Sequence, residues 1–389
     1  MKSIKIAYLE YSDIFSGAEG SMYSLIKHLN RNDFTPIIIF RYPLPHQERY
    51  ADLDCRFHYL ANEKKWWMGS DRWEKPMRGS DMLKRFLFAL KIAIFTKKEK
   101  IDILHINLLR PNTFWCVWLP KLFGIKVVGH SRSDTMHWIP SKNLQTILDG
   151  VICVSEFVRE KVLLKNPQNT SAFTIYNPID YNQYEGKYTK HEALASLGFS
   201  ADQFLLSSVG LLSPHKGHDM AIRVFARIAT DYPKHLLMIA GGGNESELSR
   251  LKTLCRELEI TNKVHFTEQQ ISEVARVYKA SDIVFSLTTR GEAFGRVPFE
   301  ANACSTAVIA PAKGAAQELI VDGETGFLAD PLDEEVIVRK TLEILKNPLR
   351  TKEIIQNGIN RFKPLLSPEY SAQCVANFYL KILRNGIIQ

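Results

Sequence analysis

Two glutamates eight residues apart are the side chains of this sequence whose type and spacing are most suited to chemistry. Glu292 lies in a turn after the apolar run 283–287, and Glu300 lies in a helix predicted to begin near Pro298. Gly295, between them, lets a ligand approach the backbone closely. At ~1.5 Å per helical residue plus a looser turn, the two carboxylates would stand about 10 Å apart. That distance suits hydroxyl groups at two ends of one long molecule, such as a nucleotide-sugar.

A strand that leads into a turn and then a helix is the place where open α/β sheets bind ligands. The pair on its own is a weak signal, because short motifs recur by chance. The alternative is a surface turn and a core-packed helix that carry two solvated glutamates. The rest of the sequence favours the first interpretation.

The chain resembles the GT-B glycosyltransferases, and within them the large retaining group called family 4. The carboxylate pair with Phe294-Gly295 between its members carries the resemblance, and further segments follow in the family's order. These are Ser16–Glu19, Ile101–His105, Gly150–Ser155, Tyr176–Asp180, Val209–Gly217, Met238–Gly243, Tyr278–Asp282, Ala301–Ile309, Lys313–Glu318 and Asp322–Phe327. The match runs over nearly the whole chain, so it is much more specific than any one segment.

The resemblance implies roles for individual residues. Glu292 would bind the hydroxyls of the transferred sugar and Glu300 those of the ribose. Backbone N–H groups around Phe294 and Gly295 would help to hold the sugar. Lys216 would place a cation on the diphosphate, whose charge must be stabilised as the glycosidic bond breaks.

Further site residues follow from the same resemblance. His130, at the end of the apolar run 126–129, would contact the sugar, whereas we expect His105 to be structural. Gly17 would lie beside the diphosphate. Gly241 and Gly242 would let the nucleotide approach the backbone, although a plain strand-to-helix turn explains each glycine equally well.

The sequence departs from the family at several positions. Leu211 stands where the family usually has an arginine, so one cation for the diphosphate is missing. Arg290 and Arg296, beside the glutamate turn, are the candidates to replace it. Ser305 and Ala307 also differ from the usual pattern. These departures leave open a weakly active, nucleotide-binding partner subunit, and a GT-B epimerase or phosphorylase is the alternative among enzymes.

Alternating apolar runs and amphipathic stretches predict an α/β fold with two doubly wound, Rossmann-like domains. In GT-B proteins such domains face each other across a cleft. We expect an N-terminal acceptor-side domain over residues 1–180 and a nucleotide-sugar domain over 181–366. A last helix, within 367–389, would return to the first domain, as the resemblance implies. A length of 389 residues suits two domains of ordinary size.

The composition is that of a soluble globular protein. Six scattered cysteines without a Cys-x-x-Cys pair predict reduced thiols and a cytoplasmic location, and the sequence shows neither a signal peptide nor an apolar run of ~20 residues. We expect no cofactor and no metal: Asp52-Leu-Asp54, the one Asp-x-Asp pair, precedes a predicted strand instead of ending one, so we interpret it as a solvated turn.

The net charge of +8 lies in the first half, because residues 1–180 hold 26 Lys and Arg against 18 Asp and Glu. No nucleic-acid motif is present. We expect a glycan or lipid-linked acceptor and, at the inner face of the membrane, a possible peripheral contact with anionic lipid. Two segments could make this membrane contact: Trp66-Trp67-Met68 with Trp73, and the apolar helix 84–98 with its cationic ends. Core packing is the favoured alternative for that helix.

Overall fold

The computed structural model of the protein describes residues 3–10, 12–13, 15–62, 79–109, 113–133, 141–168, 171–267 and 273–384. The chain divides into two compact units. The first unit comprises Met1–Pro178 with Pro368–Gln389, and the second comprises Ile179–Ser367. Trp66, Trp67, Met68 and Trp73, which we considered as acceptor contacts, lie outside the described residues.

The first unit contains a seven-stranded parallel sheet in the order β3-β2-β1-β4-β5-β6-β7. Its strands are β1 (Ile4–Glu10), β2 (Phe34–Phe40), β3 (Arg56–Tyr59), β4 (Ile103–Ile106), β5 (Lys126–Ser131), β6 (Gly150–Cys153) and β7 (Ala172–Thr174). Its helices are α1 (Gly17–His28), α2 (Gly79–Lys98), α3 (Phe114–Leu122), α4 (Lys142–Ile147), α5 (Glu156–Lys165) and, from the end of the chain, α14 (Pro368–Arg384).

The second unit contains a six-stranded parallel sheet in the order β10-β9-β8-β11-β12-β13. Its strands are β8 (Phe204–Val209), β9 (His235–Ala240), β10 (Val264–Phe266), β11 (Ile283–Phe285), β12 (Ala307–Pro311) and β13 (Phe327–Ala329). Its helices are α6 (Lys190–Ser196), α7 (His218–Ile228), α8 (Glu245–Glu257), α9 (Ala275–Ala280), α10 (Val297–Ala303), α11 (Ala316–Leu319), α12 (Glu334–Lys346) and α13 (Pro348–Leu365).

The strands form where the sequence has short apolar runs, because helices cover both faces of a parallel sheet and leave no polar side. Residues 36–40 of β2 and 283–285 of β11 are buried throughout. The prediction of two doubly wound, Rossmann-like sheets is therefore confirmed. In each sheet the strand order reverses at one place, between β1 and β4 and between β8 and β11, and such a switch point is where these folds bind ligands.

The last helix, α14, packs against the first sheet. Phe378 and Tyr379 are buried, and a Cβ atom at Gly150 would lie 2.4 Å from Cζ of Phe378. A larger residue at position 150 would therefore push this helix away from β6. Among the described residues, no helix combines the length and the apolar character needed to cross a bilayer.

Candidate functional site

An ion pair joins the two strands at the switch point of the second sheet. Lys216 follows β8, Glu292 follows β11, and the Lys216 Nζ donates to Oε1 of Glu292. Both side chains are about three-quarters buried, with 27% and 23% exposed. The loops that hold them are bonded to each other, since the His215 carbonyl accepts from the Thr289 N–H at 2.9 Å. The sequence-predicted cation and carboxylate thus meet at the carboxyl edge of this sheet.

The loop that carries Lys216 is held by a buried histidine. His218 accepts at Nδ1 from the Ser208 hydroxyl, 2.8 Å away, and donates from Nε2 to the Leu211 carbonyl at 3.2 Å. Gly217 has φ +72°, and a Cβ atom there would lie 2.0 Å from the Leu287 carbonyl oxygen. Only glycine lets the two loops come this close. The side chain of Leu211, at the position of the missing arginine, is 64% exposed.

Contacts between two loops explain the glycine at position 241, just after β9, without a ligand. Gly241 has φ +159°, and a Cβ atom there would lie 1.9 Å from the Gly210 carbonyl oxygen. The Gly242 carbonyl accepts from the Leu212 N–H at 3.0 Å. The loops after β8 and β9 therefore run side by side, and glycine at position 241 makes that possible.

Glycines also surround the Glu292 carboxylate. Gly295 has φ +71°, and a Cβ atom there would lie 2.6 Å from Oε2 of Glu292. At Gly314, which has φ +67°, a Cβ atom would lie 2.7 Å from the backbone nitrogen and oxygen of Glu292. The side chain of Phe294 is 3% exposed and stacks on Phe299 at 5.3 Å between ring centroids. Phe294 can therefore offer a ligand only its backbone.

Glu300 is held on both carboxylate oxygens. Arg296 donates from Nε to Oε1 at 2.7 Å, and the Tyr278 hydroxyl donates to Oε2 at 2.9 Å. Burial, reinforced by the Glu300 charge, raises the pKa of Tyr278 well above its ordinary value, so its hydroxyl stays a donor. The hydroxyl of Tyr184 interacts with both Arg296 and Glu300. Of the two arginines considered as replacements for the missing cation, Arg296 is thus engaged by Glu300, whereas Arg290 has an exposed side chain.

In the first unit, the sequence-predicted His130 belongs to a buried polar network. Its Nδ1 atom lies 3.1 Å from Nη2 of Arg132 and 3.3 Å from Nε2 of His105. Nδ1 of His105 lies 2.6 Å from the Tyr379 hydroxyl, which lies 3.2 Å from that of Tyr8. The network connects β1, β4 and β5 with α14. His105, which we expected to be structural, is the direct partner of His130.

The protonation of this network follows from its members. Arginine only donates, so Nδ1 of His130 accepts and the proton of the neutral ring sits on Nε2. The Tyr379 hydroxyl donates to that of Tyr8. Burial, with Arg132 adding to it, lowers the pKa of His105 to about 3, and burial lowers that of His130 well below its ordinary value. The His130 Nε2–H is buried and has no partner among the described residues.

Two other sequence-predicted segments of the first unit have local roles. Gly17 is the exposed first residue of α1, and the helix starts with a capping box in which the Ser16 N–H donates to Glu19 at 2.8 Å. Asp52 accepts from Lys27 at 3.1 Å and from Tyr23 at 2.6 Å on an exposed surface. In the described part of the chain, no group of three or more His, Cys, Asp or Glu residues is arranged to hold a metal ion.

Sequence reasoning missed four residues that orient the predicted ones. They are His218 and Tyr278 in the second unit and Arg132 and Tyr379 in the first. Tyr278 had a visible signal, because it belongs to a segment that matches the family. Tyr379 had none, because its partner His105 lies 274 residues away in the sequence.

The Arg296–Glu300 pair yields a stability prediction. Replacing Arg296 with Met leaves the Glu300 carboxylate, whose side chain is 10% exposed, without its cation. We expect the free energy of unfolding of the second unit to fall by about 3 kcal/mol, because a buried charge loses its partner. Urea titration followed by circular dichroism would measure the change.

The matched control is Arg227→Met, which removes an arginine from an ion pair on an exposed surface with Glu335. That change should cost less than about 1 kcal/mol. The double variant Arg296→Met/Glu300→Met should recover part of the loss. Equal costs for Arg296→Met and Arg227→Met would show that the Glu300 pair is no more important than a surface contact.

The histidine network yields a pH prediction. Folded His105 and His130 bind protons more weakly than unfolded histidine, whose pKa is about 6.5. The unfolded chain therefore binds more protons as the pH falls below 6.5, and stability is lost with falling pH. The slope is up to about 1.4 kcal/mol per pH unit for each histidine. Urea unfolding between pH 7 and pH 5 measures it, and His105→Asn should make it shallower. A stability that is constant or rises toward pH 5 would contradict the buried neutral state.

Comparison with known proteins matches each unit to a family of glycosyltransferases. Residues 189–361 match the family described as Glycosyl transferases group 1, and residues 15–183 match Glycosyltransferase Family 4. A D-inositol 3-phosphate glycosyltransferase of Mycolicibacterium smegmatis is 32% identical over 300 residues, which cover 76% of this chain and 60% of the relative. An N-acetyl-alpha-D-glucosaminyl L-malate synthase of Bacillus anthracis is 26% identical over 303 residues, which cover 75% of this chain and 76% of the relative. The chain matches about three-fifths of the length of the mycobacterial relatives.

Solved structures agree on the fold. Anabaena Alr3699/HepE in complex with UDP superposes with a TM-score of 0.81 at 19% identity, covering 97% of this chain and all of the other. A glycosyltransferase of Rickettsia africae gives 0.81 at 19% identity, covering 99% of this chain and all of the other. The two Rossmann-like units, the family matches over both of them and these structural likenesses agree: the chain belongs to the glycosyl transferases group 1 and has the GT-B fold.

Proposed function

We propose that this glycosyltransferase moves a hexose-type residue from a nucleotide-sugar to a hydroxyl of a glycan or glycolipid, with retention of anomeric configuration and without a metal ion. The observation that carries the proposal is the Lys216–Glu292 ion pair at the switch point of the second sheet. A cation for the diphosphate and a carboxylate for the sugar hydroxyls stand there side by side, and the glycines at positions 295 and 314 make room for Glu292.

The ammonium group of Lys216 has three N–H donors, and the bond to Glu292 uses one of them. The other two can bind oxygens of the diphosphate and stabilise its charge as it leaves. Glu292 accepts at Oε1 from Lys216, and its Oε2, beside Gly295, would accept from hydroxyls of the sugar. Each member of the pair thus positions the other for a different part of the donor.

Glu300 would accept from the ribose hydroxyls while Arg296 and Tyr278 hold its carboxylate in place. The backbone N–H groups at Phe294 and Gly295 would bind the sugar, and the loop with Gly241 and Gly242 would accommodate the nucleotide. The role of Phe294 agrees with its buried ring, which leaves only its backbone to a ligand. We propose Arg290, the exposed arginine of the two, as the second cation for the diphosphate.

In the first unit, we propose that the His130 Nε2–H donates a hydrogen bond to the transferred sugar and that the backbone at Gly17 binds the diphosphate. The acceptor oxygen would bond to the anomeric carbon on the face from which the diphosphate leaves. The acceptor proton would pass to an oxygen of that diphosphate. We place the reaction in the synthesis of a surface polysaccharide, at the cytoplasmic face of a membrane.

A donor screen tests the proposal directly. UDP-glucose is a sensible first compound because one Anabaena neighbour structure contains it, and GDP- and ADP-sugars complete the set. A sugar-nucleotide that binds the folded chain raises its thermal midpoint. Incubating that donor with and without acceptor alcohols then separates the alternatives. Turnover of donor without acceptor indicates an epimerase, orthophosphate as the required acceptor indicates a phosphorylase, and binding without any turnover indicates a nucleotide-binding subunit.

The ion pair yields a kinetic prediction. Lys216→Met should lower turnover by roughly two orders of magnitude, as expected for loss of a preorganised stabilising group. Glu292→Gln should lower it strongly as well, because charge-assisted hydrogen bonds worth about 1.5–3 kcal/mol are lost. The double variant should be about as slow as the slower single variant, because the two residues act as one unit.

The control for this cycle is Lys363→Met, since Lys363 pairs with Glu185 on an exposed surface of the same unit. Its turnover should match that of the parent. Losses that simply multiply in the Lys216→Met/Glu292→Gln variant would show that the ion pair has no joint role. Near-normal turnover in all three variants would place the site elsewhere.

Metal independence yields another prediction. If side-chain cations alone neutralise the diphosphate, excess chelator should leave the initial rate unchanged within about twofold, and added magnesium or manganese should not raise it. The comparison is made with Arg290→Ala, which should be slower than the parent under both conditions. A rate that vanishes with chelator and returns with metal would instead assign the missing charge to a metal ion.

A further inference from the structure

Large apolar side chains are exposed on two neighbouring helices of the first unit. On α2, Leu83 is 59% and Ile94 is 54% exposed. On α3 and just after it, Trp118, Leu122 and Phe123 are 37%, 61% and 39% exposed. Such a cluster is unusual, because exposed apolar residues are normally scattered singly.

The exposed residues of α2 lie on one face of the helix. Leu83 and Ile94 are eleven residues apart, about three helical turns, and the half-buried Leu87 and Leu90 fall between them on the same side. The opposite side contains Phe88, Ala89, Ile92 and Ala93, which are buried. The helix thus has a second apolar stripe that the sheet does not cover.

The two helices lie side by side in the same direction. The rings of Phe86 and Trp115 are 5.7 Å apart near the start of both helices, and Lys97 Nζ lies 4.6 Å from the Phe123 ring centroid near their ends. Trp115 also contacts Trp118 at 5.7 Å. The exposed residues of both helices therefore form one surface, which we call the α2–α3 face.

The charges on this face have a single sign. Lys84, Lys97 and Lys98 are exposed, and neither residues 83–98 nor residues 113–128 contain an Asp or a Glu. A second copy of the same face would bring cations against cations. An anionic bilayer offers the complement of both properties, hydrocarbon for the apolar centre and negative headgroups for the lysines.

We propose that the α2–α3 face is a docking surface for an anionic lipid bilayer. Leu83, Ile94, Trp118, Leu122 and Phe123 enter the boundary between headgroups and acyl chains, and the three lysines bind lipid phosphates. The inference rests on the proposed function in one respect, since a membrane-borne acceptor gives the docking a purpose. The docking itself is measured without any substrate.

The test is sedimentation of the full chain with vesicles of pure phosphatidylcholine or of phosphatidylcholine with phosphatidylglycerol, at low and at high salt. The parent should bind the anionic vesicles, and high salt should weaken the binding. Lys84→Gln/Lys97→Gln/Lys98→Gln should lower the partition coefficient by about fivefold for each lysine. Leu83→Ser/Ile94→Ser/Leu122→Ser should lower it at least tenfold.

Matched controls come from exposed residues of the second unit. Leu332→Ser/Leu349→Ser changes residues that are 66% and 82% exposed, and Lys234→Gln/Lys346→Gln/Lys352→Gln removes the same charge elsewhere. Both should bind vesicles as the parent does. Brominated lipids should quench the parent's tryptophan fluorescence, and Trp118→Phe should reduce that quenching.

Several outcomes would overturn the inference. One is equal recovery of the parent with neutral and anionic vesicles, and another is an equal loss of vesicle binding in the second-unit control variants. A third is a parent that binds no vesicles but forms a dimer, which only Leu83→Ser/Ile94→Ser/Leu122→Ser dissociates. The last result would assign the face to a second copy. Transfer to a soluble acceptor is measured separately in the same variants. Loss of docking with transfer retained supports the surface, and docking without transfer to any acceptor rejects only the proposed function.

Discussion

The register between β8 and β11 is the constraint on which the candidate site depends. Leu206 pairs with Ile283 and Ser208 with Phe285, so the two strands end at the same edge of the sheet. Their loops then meet, and Lys216 contacts Glu292 across 76 residues of sequence. A shift of one residue in this register would turn alternate side chains to the other face and separate the pair. Burial of the apolar strands thus sets the geometry of the charges.

Polar side chains connect the corresponding place in the first sheet. Asn107, after β4, donates to Glu10, at the end of β1, at 3.3 Å. The same Asn107 accepts from Arg132 at 3.1 Å, and Arg132 in turn contacts His130. Because Glu10, Asn107 and His130 are buried, each hydrogen bond restricts the next, and an unpaired polar group there would cost free energy. Tyr379, on α14, contacts His105 and so helps to orient the imidazole ring that β4 positions.

The elements of this fold could be read from the sequence because a buried parallel strand needs a continuous apolar run. Runs such as 4–9, 204–209 and 264–266 form strands with almost the same ends. The resemblance assigned Lys216 and Glu292 to the same donor molecule, but the ion pair between them was not predicted. The pairing of Arg296 with Glu300 was not predicted either, although the spacing of four residues on one helix allowed it. Sequence alone could not decide whether Arg296 turns toward its own helix or toward a ligand.

The histidine network could not be predicted from sequence patterns either, for a different reason. We expected His105 to be structural because a lone histidine is usually satisfied by local packing. Its role depends on Tyr8, Arg132 and Tyr379, which come from two strand ends and a distant helix. No periodicity links such residues, and only the packed structure brings their polar atoms together.

The leucine at position 211 shows how a site can lose a charge without losing its shape. The backbone of this loop is fixed by the Leu211 carbonyl, which accepts from His218, and by the Leu212 N–H, which donates to Gly242. Neither bond involves the side chain at position 211, which is exposed. An arginine can therefore be replaced there while Lys216 keeps its place. In the proposed function the missing positive charge comes from the glutamate turn, and because Glu300 engages Arg296 there, Arg290 is the arginine that we propose for this role.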